Sequence, residues 1–473
     1  MKPLLKTLTA AVASVFILGA CATGTPYQRP DAAMATMPGQ WNTAGGEDAA
    51  LRTVSRVSAV SIDWWKQFGS AELDRMMTQA LAANHDIAAA VSRIAQARGA
   101  AGIVDASRAP TVDLAGSAAR TRSNQSGIGG TSTGAQSSQL SATVTYELDL
   151  WGGKAAASDA ARARVDYSVY DREAVALLTQ AEVAANYFEA LAAKDRLAIA
   201  RQNLEAARNV LSLVEVRHDK GADSGLELSQ QRTSVLNIEA QIPQLEQQLR
   251  AAQTALAVLL GRAPQDFAIE GESLASLQLP ALAAYQPAAL LERRPDIRKA
   301  EASLEAAHAD IGAARAALYP SIRLSATAVA GGVLTSGSSF ASSLAASLAQ
   351  TLFDGGRLRG QVTQSEARKT ELVEQYLQSV LTGLKEVQDS LDAASFSETR
   401  RSLLARAAAE SQEAYRIANV RYKSGSQDLL TLLDSQRTRL QAEDSRVQAD
   451  LARFSAAVNL YKALGGGWAG NAG

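Results

Sequence analysis

The sequence predicts a mostly α-helical protein with a small membrane β-barrel portion, assembled from a helix-strand-strand-helix-helix unit that occurs twice. The first observation is a heptad column present in two copies. Leu228, Val235, Ile242, Leu249 and Leu256 fall seven residues apart, and so do Leu433, Leu440, Val447, Phe454 and Tyr461. Apolar residues at that spacing keep one stripe facing a partner helix, so each column is a coiled-coil seam. The second observation is shared punctuation. Val216-Arg217-His218-Asp219-Lys220-Gly221 and Val420-Arg421-Tyr422-Lys423-Ser424-Gly425 introduce the columns, and Leu260-Gly261-Arg262 and Leu464-Gly465-Gly466 end them. Matching motifs at a fixed offset mark a duplication. The third is alternation. From Thr143 to Trp151, Val144, Tyr146, Leu148 and Leu150 share one parity, while Thr143, Thr145, Glu147 and Asp149 share the other. A period of two gives a strand one apolar and one acidic face.

The chain opens with basic Lys2 and Lys6 and an apolar run from Leu8 to Leu18, closed by Leu18-Gly19-Ala20-Cys21. The run is too short to cross a bilayer as a helix and reads as an export signal over residues 1–20. Its ending resembles a bacterial lipoprotein signal, in which the Cys receives a covalent lipid, palmitate included, and becomes the first mature residue. Ala22 at the next position favours the outer membrane on that resemblance. Cys21 is the only Cys, which leaves no internal disulfide and no cysteine metal cluster. Residues 21–63, with Pro26, Pro30 and Pro38 and little periodicity, read as an extended lipidated tether.

Residues 64–280 form the first repeat, 281–466 the second, and 467–473 a tail. Asn84-His85-Asp86-Ile87 through Pro110 parallels Arg294-Pro295-Asp296-Ile297 through Pro320. Pro295 with Asp296 suits a first helical turn, and Pro110 and Pro320 end the helices. Strands follow at about 111–122 and 138–151, and at about 321–332 and 340–353, separated by Gly- and Ser-rich segments. Long helices follow at about 154–219 and 360–423. No Pro or Gly interrupts Lys154 to Asp219, so that helix alone is roughly 100 Å long. Tip loops at 220–226 and 424–428 lead into the heptad helices.

Four strands of apolar-out, polar-in pattern suit a membrane barrel but cannot close one, and lipid does not satisfy an open edge. Two copies give eight strands with a filled interior, and three give twelve with an open lumen. A conducting pore therefore favours a homotrimer whose Glu147 and Asp149 face the water of the barrel lumen. Other classes are disfavoured. The formal net charge is −1, without the basic face that a nucleic-acid partner needs. His85, His218 and His308 are scattered and lack companions at metal-ligand spacing. No phosphate-cradling loop or nucleophile elbow is present. The expectation is a protein with no enzymatic activity, no metal and no cofactor beyond the lipid on Cys21.

Trp64-Trp65-Lys66-Gln67-Phe68, Leu291-Glu292-Arg293-Arg294-Pro295-Asp296-Ile297, Ala313-Ala314-Arg315 with Tyr319-Pro320, and Arg421-Tyr422-Lys423-Ser424-Gly425 together resemble motifs of the outer-membrane factor family, the TolC-like channels. They are most similar to its lipoprotein (NodT-type) branch. The resemblance covers nearly the whole mature chain. It implies a trimeric, twelve-stranded outer-membrane barrel continued by a periplasmic α-helical tunnel. It implies docking to a periplasmic adaptor protein and service to an inner-membrane pump, commonly a proton-driven resistance-nodulation-division transporter. The implied function is a passive exit duct for small molecules such as drugs. A duct for type I protein secretion and a non-conducting periplasmic structural lipoprotein are the alternatives.

By the family's pattern the periplasmic tip closes at an acidic and an apolar ring, here Asp434 and Leu430. Residues four apart share a helix face, so both can line one opening. Ser229 aligns with Asp434 in the first repeat, which predicts three charges in a trimer rather than six. Tyr422 matches a position that holds the tip closed by hydrogen bonding, and Gln427 stands where the family carries an Arg beside it. Lys220, Gly221, Lys423, Ser424 and Gly425 form the expected landing site of the adaptor.

Overall fold

The fold is that of a computed structural model, which describes residues 26–31, 33, 37–39, 41, 62–124, 132–265, 267–271, 273–280, 287–333 and 337–466. The signal segment, Cys21, most of the tether and the 467–473 tail lie outside the described residues. The order is a 3₁₀ turn at Trp64–Phe68, α1 (Ala71–Ala83), α2 (His85–Ala106), β1 (Thr111–Asn124), β2 (Ser132–Leu148), α3 (Gly153–Asp219) and α4 (Gly225–Leu259). A helical turn at Leu290–Arg293 then leads to α5 (Pro295–Ala316), β3 (Ser321–Val333), β4 (Gly337–Ala349), α6 (Arg357–Lys423) and α7 (Leu429–Ala463). The duplication is visible element by element, and α3 and α6 are each 67 residues long. No described helix is long and apolar enough to cross a membrane.

The chain divides into two compact units. One takes residues through Pro30, Arg93–Val169 and Lys299–Leu377; the other takes Asp31–Ser92, Tyr170–Arg298 and Gln378–Gly473.

The first unit holds a four-stranded antiparallel sheet in the order β1-β2-β3-β4, with β1 and β4 at its edges. Directly paired residues share a face. Val112 and Leu114 pair with Val144 and Ala142, Leu324 and Ala326 with Tyr146 and Val144, and Leu348 and Leu344 with Ile322 and Ala326. One face is thus apolar across all four strands. Asp113, Ser117, Thr143, Thr145, Thr327, Ser343 and Ser347 lie on the other. Leu344 is 83% exposed and Phe340 73%, so a single chain leaves the apolar face uncovered there. From Leu140 to Leu148 this face runs roughly 27 Å along the strand, or roughly 20 Å of membrane depth at barrel tilt.

The strands start and stop at places other than those predicted. β2 begins at Ser132 rather than 138, because Ser, Gly and Thr residues of the expected loop continue the ladder down to the Asn124–Ser132 pair. It ends at Leu148 rather than 151. Asp149 is a helix cap: its carboxylate accepts from the Lys154 and Ala155 amides at 3.0 and 2.8 Å. This corrects its assignment to the barrel lumen. Glu147 keeps the polar parity, but it pairs with Arg323 at 3.5 Å and Lys154 at 3.9 Å, which offsets the expected acidic face. β4 likewise spans 337–349 rather than 340–353, since Asp354 accepts from the Gly356 and Leu358 amides to open the next helix. α3 and α6 therefore begin one and three residues earlier than predicted. Part of the tether is seated in this unit. Arg29 makes two bonds to Glu301 at 2.7 and 2.9 Å, and Tyr27 meets the His308 ring edge-on at 5.9 Å.

The second unit is packed around the Trp64–Phe68 turn. Trp64 and Phe68 are fully buried with Phe188 of α3 and Phe454 and Tyr461 of α7; Trp64 stacks on Tyr461 at 5.2 Å. Burying one indole of this size contributes about 5 kcal/mol of transfer free energy. The heptad columns point inward: Val235, Leu256, Val447, Phe454 and Tyr461 are buried, and the other members are half-buried. α4 and α7 end alike, with a glycine in the left-handed region at Gly261 (φ 66°) and Gly465 (φ 70°). Each glycine approaches a backbone so closely that a Cβ would lie 2.5 Å from a carbonyl oxygen, that of Ala83 or of Arg293. The next residue in each case ties the corner shut. Asn84 donates to the Leu259 carbonyl at 3.0 Å, and Arg294 donates to the Ala463 carbonyl at 2.9 Å while pairing with Asp296 and Glu386. Asn84 and Arg294 are equivalent positions of the two repeats, and each clasps the last turn of its own repeat's heptad helix.

Candidate gate at the hairpin turns

The two long-helix hairpins reverse at matching turns in the second unit. α3 ends with the Gly221 amide donating to the His218 carbonyl and the Ala222 amide to the Arg217 carbonyl, both at 2.8 Å. α6 ends with the same pair of bonds, Gly425 to Tyr422 and Ser426 to Arg421, both at 3.0 Å. This crossed pattern closes a helix whose next residue is left-handed, here Gly221 at φ 72° and Gly425 at φ 77°. The first turn is shorter than the predicted 220–226, because Ser224 and Glu227 form a capping box that starts α4 at Gly225. Asp428 caps α7 through the Thr431 amide at 2.8 Å, a bond that holds its carboxyl below the usual range. Lys220, Gly221, Lys423, Ser424 and Gly425 are all exposed on these turns. The structure thus brings the expected landing residues to two matching, accessible loops.

Between the turns lies a buried acid. The Asp223 side chain is 4% exposed. Its carboxylate accepts from Arg217 Nε at 3.0 Å and from the Tyr422 hydroxyl at 3.1 Å. The Arg217 guanidinium also sits 5.0 Å above the Tyr422 ring. Burial, together with the hydrogen bond to Asp223, pushes the Tyr422 hydroxyl up to about 12. Tyr422 packs with Val210, Val214, Tyr415, Leu429 and Leu432, so these bonds join the end of α3 to the end of α6 over an apolar cluster. The basic member comes from Arg217 of the first repeat, not from the position of Gln427. Arg217 and Asp223 escape a reading of the sequence because their partner is about 200 residues away; the signal that could have found them is that Gln427 stands where the first turn has Asp223.

Leu430 and Asp434 lie elsewhere, on the exposed face of α7; the Leu430 residue is 65% exposed and the Asp434 side chain 63%. With Arg437, Ser229, Thr233 and Asn237 they line a groove of about 740 Å³ between α4 and α7. Asp434 does not stand alone there: Arg437, one turn on, pairs with it at 2.6 Å. The residues expected at the gate therefore fall in two places, a buried hydrogen-bonded cluster at Tyr422 and an exposed strip carrying Leu430, Asp434 and Arg437. In the lining of the groove, Gln436 is 1% exposed and neither of its amide atoms has a hydrogen-bond partner, a local cost of about 1–3 kcal/mol. Arg439 donates to Asn203 of α3 at 3.1 Å and lies 4.3 Å over the Tyr415 ring of α6, tying α7 to both. No group of metal-ligating side chains occurs among the described residues.

Two matching hairpins, a bifacial four-stranded sheet and a doubled corner clasp make a distinctive set, and comparison with known proteins accounts for it. The profile of the outer membrane efflux protein family matches residues 76–262 and 287–466. The chain belongs to that family. It is 38% identical over 469 residues to the pyoverdine export outer membrane protein OpmQ of Pseudomonas aeruginosa, covering 97% of this chain and 96% of that one. It is 34% identical over 462 residues to the outer membrane protein OprJ of the same organism, covering 95% and 94%. Among solved structures, the outer-membrane channel OprN superposes with a TM-score of 0.84 at 29% identity, covering 94% of this chain and 99% of that one. CusC superposes at 0.80 and 26%, covering 94% and 100%. This outer-membrane efflux protein has the TolC-like fold, mostly helical with a sheet that supplies barrel strands, and its place is the bacterial outer membrane.

Proposed function

We propose that this family member is the exit duct of a tripartite efflux pump. Three copies close a twelve-stranded barrel, the lipid on Cys21 anchors each copy, and the exposed turns at Gly221 and Gly425 receive a periplasmic adaptor. An inner-membrane transporter of the resistance-nodulation-division class supplies the energy, and small molecules pass by diffusion. The observation that carries this reading is the sheet: one apolar face, one polar face, and edge strands β1 and β4. An edge in lipid must be paired, and only a symmetric ring of copies pairs both edges of every copy. Two of the similar proteins carry the name pyoverdine export and share 38% identity, while those named for toluene or antibiotic efflux share 31–32%. That ranking makes a secreted metabolite of the pyoverdine kind the cargo to assay first.

The duplication predicts how the ring closes. Superposing Pro110 on Pro320 and Trp151 on Phe353 maps the β2–β3 pair Thr143–Thr327 onto Ala345 of one copy and Ser117 of the next. The Thr143 and Thr327 hydroxyls lie 3.4 Å apart, so cysteines at the mapped positions should meet on the polar face. Ser117→Cys with Ala345→Cys is expected to give covalent dimers and trimers on mild oxidation, whereas Ser117→Cys with Ala341→Cys should not. Linking by the second pair alone means a different register; linking by neither argues against barrel closure by three copies. Labelled palmitate should be incorporated by the protein and lost in Cys21→Ala; incorporation by that variant counts against the anchor.

A further inference from the structure

The duplication places two ring residues against one acid. Arg217-His218 of the first turn corresponds to Arg421-Tyr422 of the second. Both rings reach Asp223: the Tyr422 hydroxyl bonds its carboxylate at 3.1 Å, and His218 Nδ1 lies 3.0 Å from its backbone carbonyl oxygen. A carbonyl only accepts, so Nδ1 carries the proton in this bond. The two contacts do different things. Tyr422 and Arg217 hold the carboxylate, while His218 holds the peptide from which that carboxylate projects. The Ser224 amide of the same peptide donates to the Glu227 carboxylate at 2.6 Å, and the Asp223 amide, on the peptide before it, reaches the Arg217 carbonyl at 3.4 Å. His218 is half-buried, and a Cβ at Gly225 would lie 4.0 Å from its Cε1, so the ring is bounded by the first residue of α4.

We propose that His218 is the positioning residue of the latch: its Nδ1–H fixes the Asp223 peptide so that the carboxylate meets Arg217 and Tyr422, which keeps the periplasmic tip closed. The second turn needs no equivalent, since Gln427 stands at the place of Asp223 and Tyr422 serves the first turn's acid instead. The role rests on the gate reading of these turns. It also separates two chemistries at one site, an imidazole that acts through a backbone carbonyl and a phenol that acts on a carboxylate.

The test uses the full-length protein in planar bilayers, with basal conductance as the readout and trimer yield as the check on folding. Tyr422→Phe removes the phenol bond and serves as the reference. His218→Phe keeps a ring but removes the donor; His218→Asn places an amide nitrogen near the Nδ1 position and restores it. Losing one hydrogen bond of ordinary strength shifts an equilibrium about fivefold. His218→Phe is expected to raise basal conductance by about that factor and Tyr422→Phe, whose bond is to a carboxylate, by about tenfold or more, with His218→Asn close to the unsubstituted channel. A silent His218→Phe beside a leaking Tyr422→Phe overturns the role of His218 and leaves the latch standing. Equal leakage from His218→Asn and His218→Phe overturns the donor assignment. If Tyr422→Phe is also silent, the gate reading itself is wrong.

Discussion

Replacing Gly465 by Ala is expected to destabilise the protein by at least about 3 kcal/mol and to remove most of the folded material from the outer membrane. Two effects add. Gly465 has φ 70°, where any Cβ costs about 1–2 kcal/mol. The new Cβ would also lie 2.5 Å from the Arg293 carbonyl oxygen and 3.2 Å from the Arg294 Cα. That backbone cannot retreat, because Arg294 is pinned to the Ala463 carbonyl and to Asp296 and Glu386. Gly425 supplies the internal comparison. It has φ 77°, but nothing lies within 4 Å of the place a Cβ would take, so Gly425→Ala should cost only the backbone term, about 1–2 kcal/mol. Thermal unfolding of the two purified variants measures the difference. Equal midpoints would mean that the corner yields and that the close approach contributes nothing.

The second large effect is electrical. Asp434 pairs with Arg437 at 2.6 Å on the exposed strip of α7, so on the gate reading each copy brings one negative and one positive charge to the opening. The unsubstituted tip should then be only weakly selective. Asp434→Ala leaves the three arginines and should turn the closed or nearly closed channel towards anions; Arg437→Ala leaves the three carboxylates and should turn it towards cations. Screening fixes where to look, since the Debye length is about 10 Å at 0.1 M salt and about 3 Å at 1 M. Reversal potentials under a salt gradient should move in opposite directions for the two variants at low salt and converge at high salt. An Asp434→Ala channel with an unshifted reversal potential at low salt removes Asp434 from the gate and leaves the duct untouched.

What can be read from the chain follows the range of the interaction. The heptad columns, the glycine-ended helices and the strand–strand–helix order all repeat within short windows, and duplication prints each of them twice. Asp149 shows where a short window misleads. It satisfies the alternation of β2 and also caps α3, and only the three-dimensional course of Gly152 and Gly153 selects the second role. The hairpin loops mislead the other way. Their Ser and Gly residues lack an apolar face, yet a ladder needs only backbone groups, so the strands run further than their side chains show. Asp434 is legible and Arg437 is not, although the two are one turn apart, because the family's pattern marks only the acid. The latch is the least legible part. Asp223 and Tyr422 are far apart in sequence and meet only because two hairpins of equal length reverse at the same level.

On the proposed closure, the unpaired edges of β1 and β4 carry a consequence for genetics. Each copy depends on both neighbours to satisfy its edges, so one subunit with a spoiled edge leaves two good subunits unable to complete a ring. In a cell making sound and spoiled chains in equal amount, random mixing leaves about one ring in eight wholly sound. A lesion confined to an edge strand would then behave as dominant. A lesion that prevents a chain from folding at all would remove that chain from the pool and behave as recessive.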